Sequence, residues 1–176
     1  MYNNDNNQKY ALLAAFFAML LFALVSCGKQ MAELRGSAHD IAFRTYSRAG
    51  IDTGHMSEEE LAPESAYILG ISEESFRQNV AEARIFRPEE LSAAQSLCIV
   101  VAKNAPCAED IYTEMRASYD WAPCDPAKTA VFMQYGNYIL LAKSSESGAR
   151  ALSAAFAEET GGRASVSFSQ NPMSGI

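Results

Sequence analysis

The sequence has few of the residues from which catalytic centres are usually built. Its 176 residues include only two histidines, His39 and His55, and neither adjoins a nucleophile motif of the G-x-S-x-G type, which is absent. A Ser-His-Asp or Cys-His enzyme needs a histidine close to its nucleophile. The chain also has no glycine-rich phosphate-binding loop. We therefore expect no catalytic residues and no cofactor.

The pattern for a bound metal is missing as well. Cys98, Cys107 and Cys124 are separated by nine and seventeen residues, so they do not form the close pair of ligands that a zinc site requires. The acidic loop that begins at Asp52 has Gly54 at its third position and Met56 at its fifth, where a calcium loop needs oxygen ligands. We expect no metal site.

The sequence also has fewer basic residues than acidic residues. The chain has 14 basic and 21 acidic residues, a net charge of −7. Nucleic-acid binding requires a basic face, so we exclude nucleic acid as a partner. The negative charge is interpreted as a solubility feature.

The longest apolar run is too short to cross a membrane as a helix. It covers residues 11–25, fifteen in all, whereas a helix needs ~20 apolar residues to span a ~30 Å hydrocarbon core. Fifteen is the upper end of the apolar region of a secretory signal peptide, and the polar stretch before the run carries Lys9. Residues 1–26 are therefore predicted to be a signal peptide.

A cysteine follows this run directly. The segment Leu24-Val25-Ser26-Cys27-Gly28 resembles the lipobox of bacterial lipoproteins, in which an aliphatic and two small or modest residues precede the acylated cysteine. The resemblance implies diacylglycerol on Cys27, palmitate-type acylation and attachment to the outer face of the cell membrane. The alternative is an uncleaved signal anchor with an ordinary cysteine. We predict a lipid-anchored tether over residues 27–36, a single domain over 37–170 and a flexible tail over 171–176.

Three cysteines remain after lipidation, an odd number for an exported chain. Cys98 lies in an apolar run and is expected to pack as a small hydrophobe. Cys107 and Cys124 flank a predicted helix, so their separation is barely short enough for a disulfide. Whether they pair is left open.

Hydrophobic periodicity divides the domain into helices, strands and loops. One helix is predicted to begin at Ser37 and end at Gly50, a second is capped by Ser72, and a third has Pro106 in its first turn. A fourth is capped by Ser144 or Ser145 and ends at Gly161. Two loops are predicted, an acidic loop at 52–64 and a break at 84–91 marked by Pro88. A buried strand is predicted at 96–103 and an edge strand at 164–168, and residues 67–71 are predicted to form a short strand or a buried turn.

The clearest element is a β-hairpin at residues 129–143. Two apolar runs flank Gly136-Asn137, and a glycine in a two-residue loop supplies the positive φ that a primed turn needs. Together these elements predict an α+β fold, a mostly antiparallel sheet with helices packed on it.

Residues 67–156 resemble a family of uncharacterised bacterial lipoproteins catalogued as domain of unknown function number 4358. The matching features are Ile68-Leu69-Gly70, the strand 96–103, the helix from Ala108 and the hairpin sequence 136–141. The chain departs from the family at Gln95, where a glutamate is usual, and at 121–123, where a tyrosine–proline pair is usual. The resemblance implies an extracytoplasmic lipoprotein and no particular activity.

The leading functional hypothesis is a non-enzymatic binding module, tethered at the cell envelope, for an envelope protein or cell-wall partner. One alternative is an envelope hydrolase that uses acids such as Asp110 or Glu114, and another is a substrate-capturing lipoprotein. Tyr112, Tyr119 and Trp121 are candidates for a sugar-stacking platform, although their helical spacing favours the core.

Overall fold

The computed structural model describes residues 34–89, 95–122 and 125–172. The predicted signal peptide, Cys27 and Cys124 lie outside these ranges. The chain divides after Ala32, and every described residue belongs to the second unit, Glu33–Ile176. Along the chain the elements are α1 (Ala38–Arg48), β1 (Met56–Glu60), a 3-10 helix (Pro63–Leu69), α2 (Glu73–Asn79), β2 (Val80–Pro88), β3 (Ser96–Ala102), α3 (Ala105–Ser118), β4 (Thr129–Tyr135), β5 (Tyr138–Ser144), α4 (Glu146–Glu159) and β6 (Ser165–Gln170).

The six strands of these ranges form one antiparallel sheet in the order β1-β2-β3-β5-β4-β6. The α+β prediction is confirmed. The central strands β3 and β5 are almost continuously apolar because helices cover both faces of the sheet.

Successive residues of each strand point to opposite faces, so the domain has two separate cores. On one face, strand residues such as Leu97 and Leu140 pack with Ile41 of α1 and Phe156 of α4. On the other face, strand residues such as Val100 pack with the 3-10 helix, α2 and α3. The domain is therefore three layers deep.

Side-chain caps fix the helix starts that the sequence predicts. Ser37 and Asp40 form a reciprocal capping box at α1, and the Ser72 and Ser145 hydroxyls accept hydrogen bonds from main-chain N–H groups at the starts of α2 and α4. At α3, Asn104 supplies the cap and Pro106 lies in the first turn.

The predicted hairpin is present. Strands β4 and β5 pair across Gly136-Asn137, with Tyr135 opposite Tyr138, and Gly136 has a φ of 59°. The predicted last strand is also present as β6, paired to β4 at an edge of the sheet.

Two predicted loop assignments are wrong. The acidic segment 52–64 contains β1, and the break at 84–91 lies largely within β2. Charged side chains stabilise this pairing, because the Arg84 guanidinium lies 2.9 Å from Glu58 and 3.9 Å from Glu60 across the two strands. Pro88 is tolerated as the last residue of β2. For residues 67–71, predicted as a short strand or a buried turn, the structure shows the turn, which consists of the end of the 3-10 helix and a left-handed residue at Gly70.

Residues on both sides of the predicted domain bounds, 37 and 170, also pack onto the domain. Leu34, assigned to the tether, is buried in the core beneath α1, and the Gly36 carbonyl accepts a hydrogen bond from the Tyr138 hydroxyl at 3.0 Å. Asn171, assigned to the tail, is buried, and its side-chain amide donates to the Asp125 and Ala127 carbonyls. Packing therefore extends from Leu34 to Asn171. Within the described ranges, no helix is long and apolar enough to cross a membrane.

Candidate functional site

A cleft of about 420 Å³ opens where the 3-10 helix, the sheet and the segment after α3 meet. We call it the Tyr67 cleft. It lies on the face of the sheet that α3 covers. Its lining residues come from the end of the 3-10 helix, three neighbouring strands and the segment 119–122, and they are Tyr67, Ile68, Ile85, Arg87, Ser96, Lys143, Tyr119, Asp120, Trp121 and Ala122.

A close backbone contact sets the separation of the two walls. Gly70 ends the 3-10 helix with a φ of 72°, and a Cβ atom there would lie 2.8 Å from the Tyr119 Cα. The chain carrying Tyr67 therefore packs directly on the chain carrying Tyr119 and Trp121. This contact requires glycine both for its conformation and for its lack of a side chain.

One wall of the cleft is a rigid aromatic cluster. The Tyr119 ring meets the Trp121 ring edge-on at 5.7 Å and the Phe132 ring at 5.1 Å. The Trp121 indole N–H donates to the Ser169 hydroxyl at 3.2 Å. Aromatic pairs in this geometry are favourable beyond the area that they bury.

The aromatic residues singled out in the sequence divide between core and cleft. Tyr112 and Trp121 are buried members of the core, as their spacing favours, and Tyr119 packs against it. Tyr119 and Trp121 still present part of their surface to the cleft, whereas Tyr112 does not line it. The aromatic residue that the sequence reasoning missed is Tyr67, which is 77% exposed.

Two cationic side chains line the cleft, and each has an acidic neighbour. The Lys143 ammonium lies 2.7 Å from the Asp125 carboxylate, and Arg87 lies 3.6 Å from Glu59. The Asp125 carboxylate also accepts a hydrogen bond from the Ala127 N–H at 3.0 Å. Asp125 is therefore fixed by its own turn and holds the Lys143 amine in a defined position.

The thiol below the cleft is not a nucleophile at neutral pH. Burial raises the pKa of the Cys98 thiol to about 12, although the positive charges of Lys143 and Arg87 oppose the shift. Burial, together with the nearby Asp125 carboxylate, also raises the pKa of the Tyr119 hydroxyl. Both groups are protonated at pH 7, and only a thiolate would attack an electrophile. Cys98 is buried as predicted, and Cys107 is half-buried and forms no disulfide with another described residue.

The carboxylates proposed for a hydrolase are not gathered in this cleft. Asp110 is exposed on α3, and the Glu114 carboxylate accepts a hydrogen bond from the Ser72 N–H at 2.8 Å. Neither lines the Tyr67 cleft, where Asp120 is the one acidic lining residue.

A second depression, of about 390 Å³, does contain two carboxylates, Glu60 and Glu82. Both contact the Arg84 guanidinium, Glu82 at 2.9 Å and Glu60 at 3.9 Å. A glycosidase acid must be held protonated near neutral pH. Both carboxylates of this depression are engaged by one guanidinium, and no second feature marks either of them as a catalytic acid.

The two histidines lie in a contact between elements and in a turn. The His39 ring stacks on Phe43 at 4.3 Å and its Nδ1 lies 2.7 Å from the Glu58 carboxylate, so it connects α1 to β1. His55 is exposed in the turn before β1. Among the described residues, no group of three or more histidine, cysteine or acidic side chains is placed to hold a metal ion.

No family model matches this chain, and no curated protein or solved structure does.

Proposed function

We propose that this protein is an exported lipoprotein, anchored by diacylglycerol on Cys27, whose domain binds an envelope protein or a cell-wall component at the outer face of the membrane. The anchor is supported by the apolar run 11–25 and by the lipobox-like segment that ends in Cys27. Two acyl chains hold a protein firmly where a single chain is marginal, at ~0.8 kcal/mol per buried CH₂.

The Tyr67 cleft is the binding surface in this proposal, and the exposure of Tyr67 is the observation that carries it. A tyrosine that is 77% exposed beside an aromatic wall offers a stacking face without a covering side chain. Lys143 and Arg87, each beside an acidic neighbour, add hydrogen-bond donors at the same opening. The cleft therefore suits a ligand with a flat apolar face and a nearby hydrogen-bonding group.

A binding role is favoured over turnover by the placement of the acidic groups. Asp110 and Glu114 lie outside the Tyr67 cleft, and Glu60 and Glu82 share a cation. Hydrolysis of a cell-wall fragment or a peptide by the purified protein would contradict a purely binding role.

The anchor is tested by intact-mass analysis of protein extracted from membranes. We expect a mature chain that begins at Cys27 and carries diacylglycerol, and we expect Cys27→Ser to accumulate as unprocessed precursor. A wild-type chain with an unmodified Met1 start would refute the anchor.

The binding surface is tested by crosslinking in intact cells. Tyr67 is replaced with the photoreactive residue p-benzoylphenylalanine, and Ala154, which is exposed on α4 at the opposite face of the sheet, is the matched control position. We expect a discrete adduct from position 67 and none from position 154, with the attached species identified by mass spectrometry. Equal labelling from both positions, or from neither, would refute the cleft as the binding surface.

A further inference from the structure

The two edges of the sheet have opposite chemical character. The edge strand β1 reads Met-Ser-Glu-Glu-Glu, and its three carboxylates discourage another strand from pairing with it. The other edge strand, β6, reads Ser-Val-Ser-Phe-Ser-Gln and contains neither a charged residue nor a proline. It therefore lacks the usual features that prevent edge-to-edge association.

The open side of β6 can be identified from its hydrogen bonds. The Asn171 N–H donates to the Lys128 carbonyl at 2.9 Å, one residue beyond the pair of Thr129 and Gln170. Hydrogen-bonded pairs alternate along an antiparallel ladder, so residues 165, 167 and 169 bond to β4. The main-chain groups of Val166, Phe168 and Gln170 consequently point away from the sheet.

The same strand exposes apolar surface. Val166 is 52% exposed and Phe168 is 46% exposed, and both lie on the face that α4 partly covers. The Arg150 guanidinium of α4 lies 5.9 Å from the centre of the Phe168 ring and shields one side of it. On this six-residue strand, a main chain with no pairing partner among the described strands thus coincides with two nearby exposed apolar side chains.

We propose that two copies of this chain associate through β6, antiparallel about a two-fold axis at Ser167, to extend the sheet across both molecules. In this register Val166 of one copy lies opposite Phe168 of the other, and this pair occurs twice. Each Val166–Phe168 pair exchanges two main-chain hydrogen bonds, and aromatic residues pair well with β-branched ones across strands. Ser165 lies opposite Ser169, so small polar residues occupy the other face.

Charge favours a second copy at this edge over the β1 edge. Each copy has a net charge of −7, so two copies repel over most of their surface. Pairing through β1 would bring Glu58, Glu59 and Glu60 of both molecules together, whereas pairing through β6 brings no charged strand residue opposite another. The association does not require the lipid anchor, but confinement to one membrane surface would raise the effective concentration of the copies.

The test is cysteine crosslinking of the full chain in isolated membranes and in detergent extract, with Cys107 and Cys124 replaced by serine. Ser167→Cys places the new thiols opposite each other with a Cα separation of about 4.5 Å, which a disulfide can bridge. Ser165→Cys is the matched control. In the proposed register, residue 165 of one copy lies four residues, roughly 13 Å along the strands, from residue 165 of the other, which is too far for a disulfide. Copper phenanthroline serves as the oxidant.

We expect a reducible homodimer from Ser167→Cys and at least about five times less from Ser165→Cys. Adding Val166→Lys to Ser167→Cys should lower the homodimer yield, because a charge on an edge strand opposes pairing. Equal yields at 165 and 167, no homodimer at 167, or an adduct with a different protein would each overturn the proposal.

Discussion

The contact between Gly70 and Tyr119 gives the sharpest test of how the cleft is built. Gly70→Ala introduces two separate costs. A side chain at a φ of 72° costs roughly 1–2 kcal/mol in backbone conformation. The new methyl group would also lie 2.8 Å from the Tyr119 Cα, and such overpacking costs about 1–3 kcal/mol. We therefore expect Gly70→Ala to lower the free energy of unfolding by about 2–5 kcal/mol.

Gly136→Ala is the matched control. Gly136 also has a positive φ, 59°, but a Cβ atom there would have no neighbour within 4 Å. We expect the free energy of unfolding of this variant to fall by the conformational cost alone, roughly 1–2 kcal/mol. The entropic effect of replacing glycine in the unfolded chain is common to both variants and cancels in their difference.

The assay is urea unfolding at 25 °C, followed by the fluorescence of Trp121, the one tryptophan of the chain. The difference between the two variants measures the contact with Tyr119, and we expect about 1–3 kcal/mol. Equal destabilisation would show that the two cleft walls do not depend on close packing at Gly70. Because Gly70 also sets the separation of the walls, we expect Gly70→Ala to reduce photo-crosslinking from position 67.

Three further predictions concern buried polar groups. Tyr46→Phe should change the free energy of unfolding in urea by less than about 1 kcal/mol, because the buried Tyr46 hydroxyl forms no hydrogen bond of normal geometry among the described residues, although it lies near the Gln95 side chain. A clear loss of stability would show that the hydroxyl is bonded. Burial raises the pKa of Cys98 and of Tyr119, so these groups lose their protons at lower pH in the unfolded chain than in the folded protein. The free energy of unfolding should therefore fall as the pH rises above about 9, by up to about 1.4 kcal/mol per pH unit for each group. A flat profile between pH 9 and 11 would contradict this. In the native protein at pH 8, iodoacetamide should modify Cys107 well before Cys98, and peptide mapping that finds Cys98 labelled first would contradict its burial.

Much of the fold was predictable because its signals are local. The helix starts follow from local signals such as Ser72 and Pro106, and the hairpin follows from one glycine between two apolar runs. The burial of Cys98 follows from its position in an apolar stretch of strand length. In each case the deciding residues lie within a few positions of one another, so the sequence alone determined these elements.

The tertiary structure decided what depends on partners distant in the chain. Glu58, Glu59 and Glu60 have no strand pattern of their own, and they form β1 by pairing with β2, where Arg84 and Arg87 supply opposite charges. Asn171 is ordered because the carbonyls of Asp125 and Ala127, more than forty residues earlier, accept its amide. The Tyr67 cleft likewise exists because Gly70 meets Tyr119 across the domain. Local pattern carries no information about such contacts, since packing between distant segments, rather than periodicity, brings these groups together.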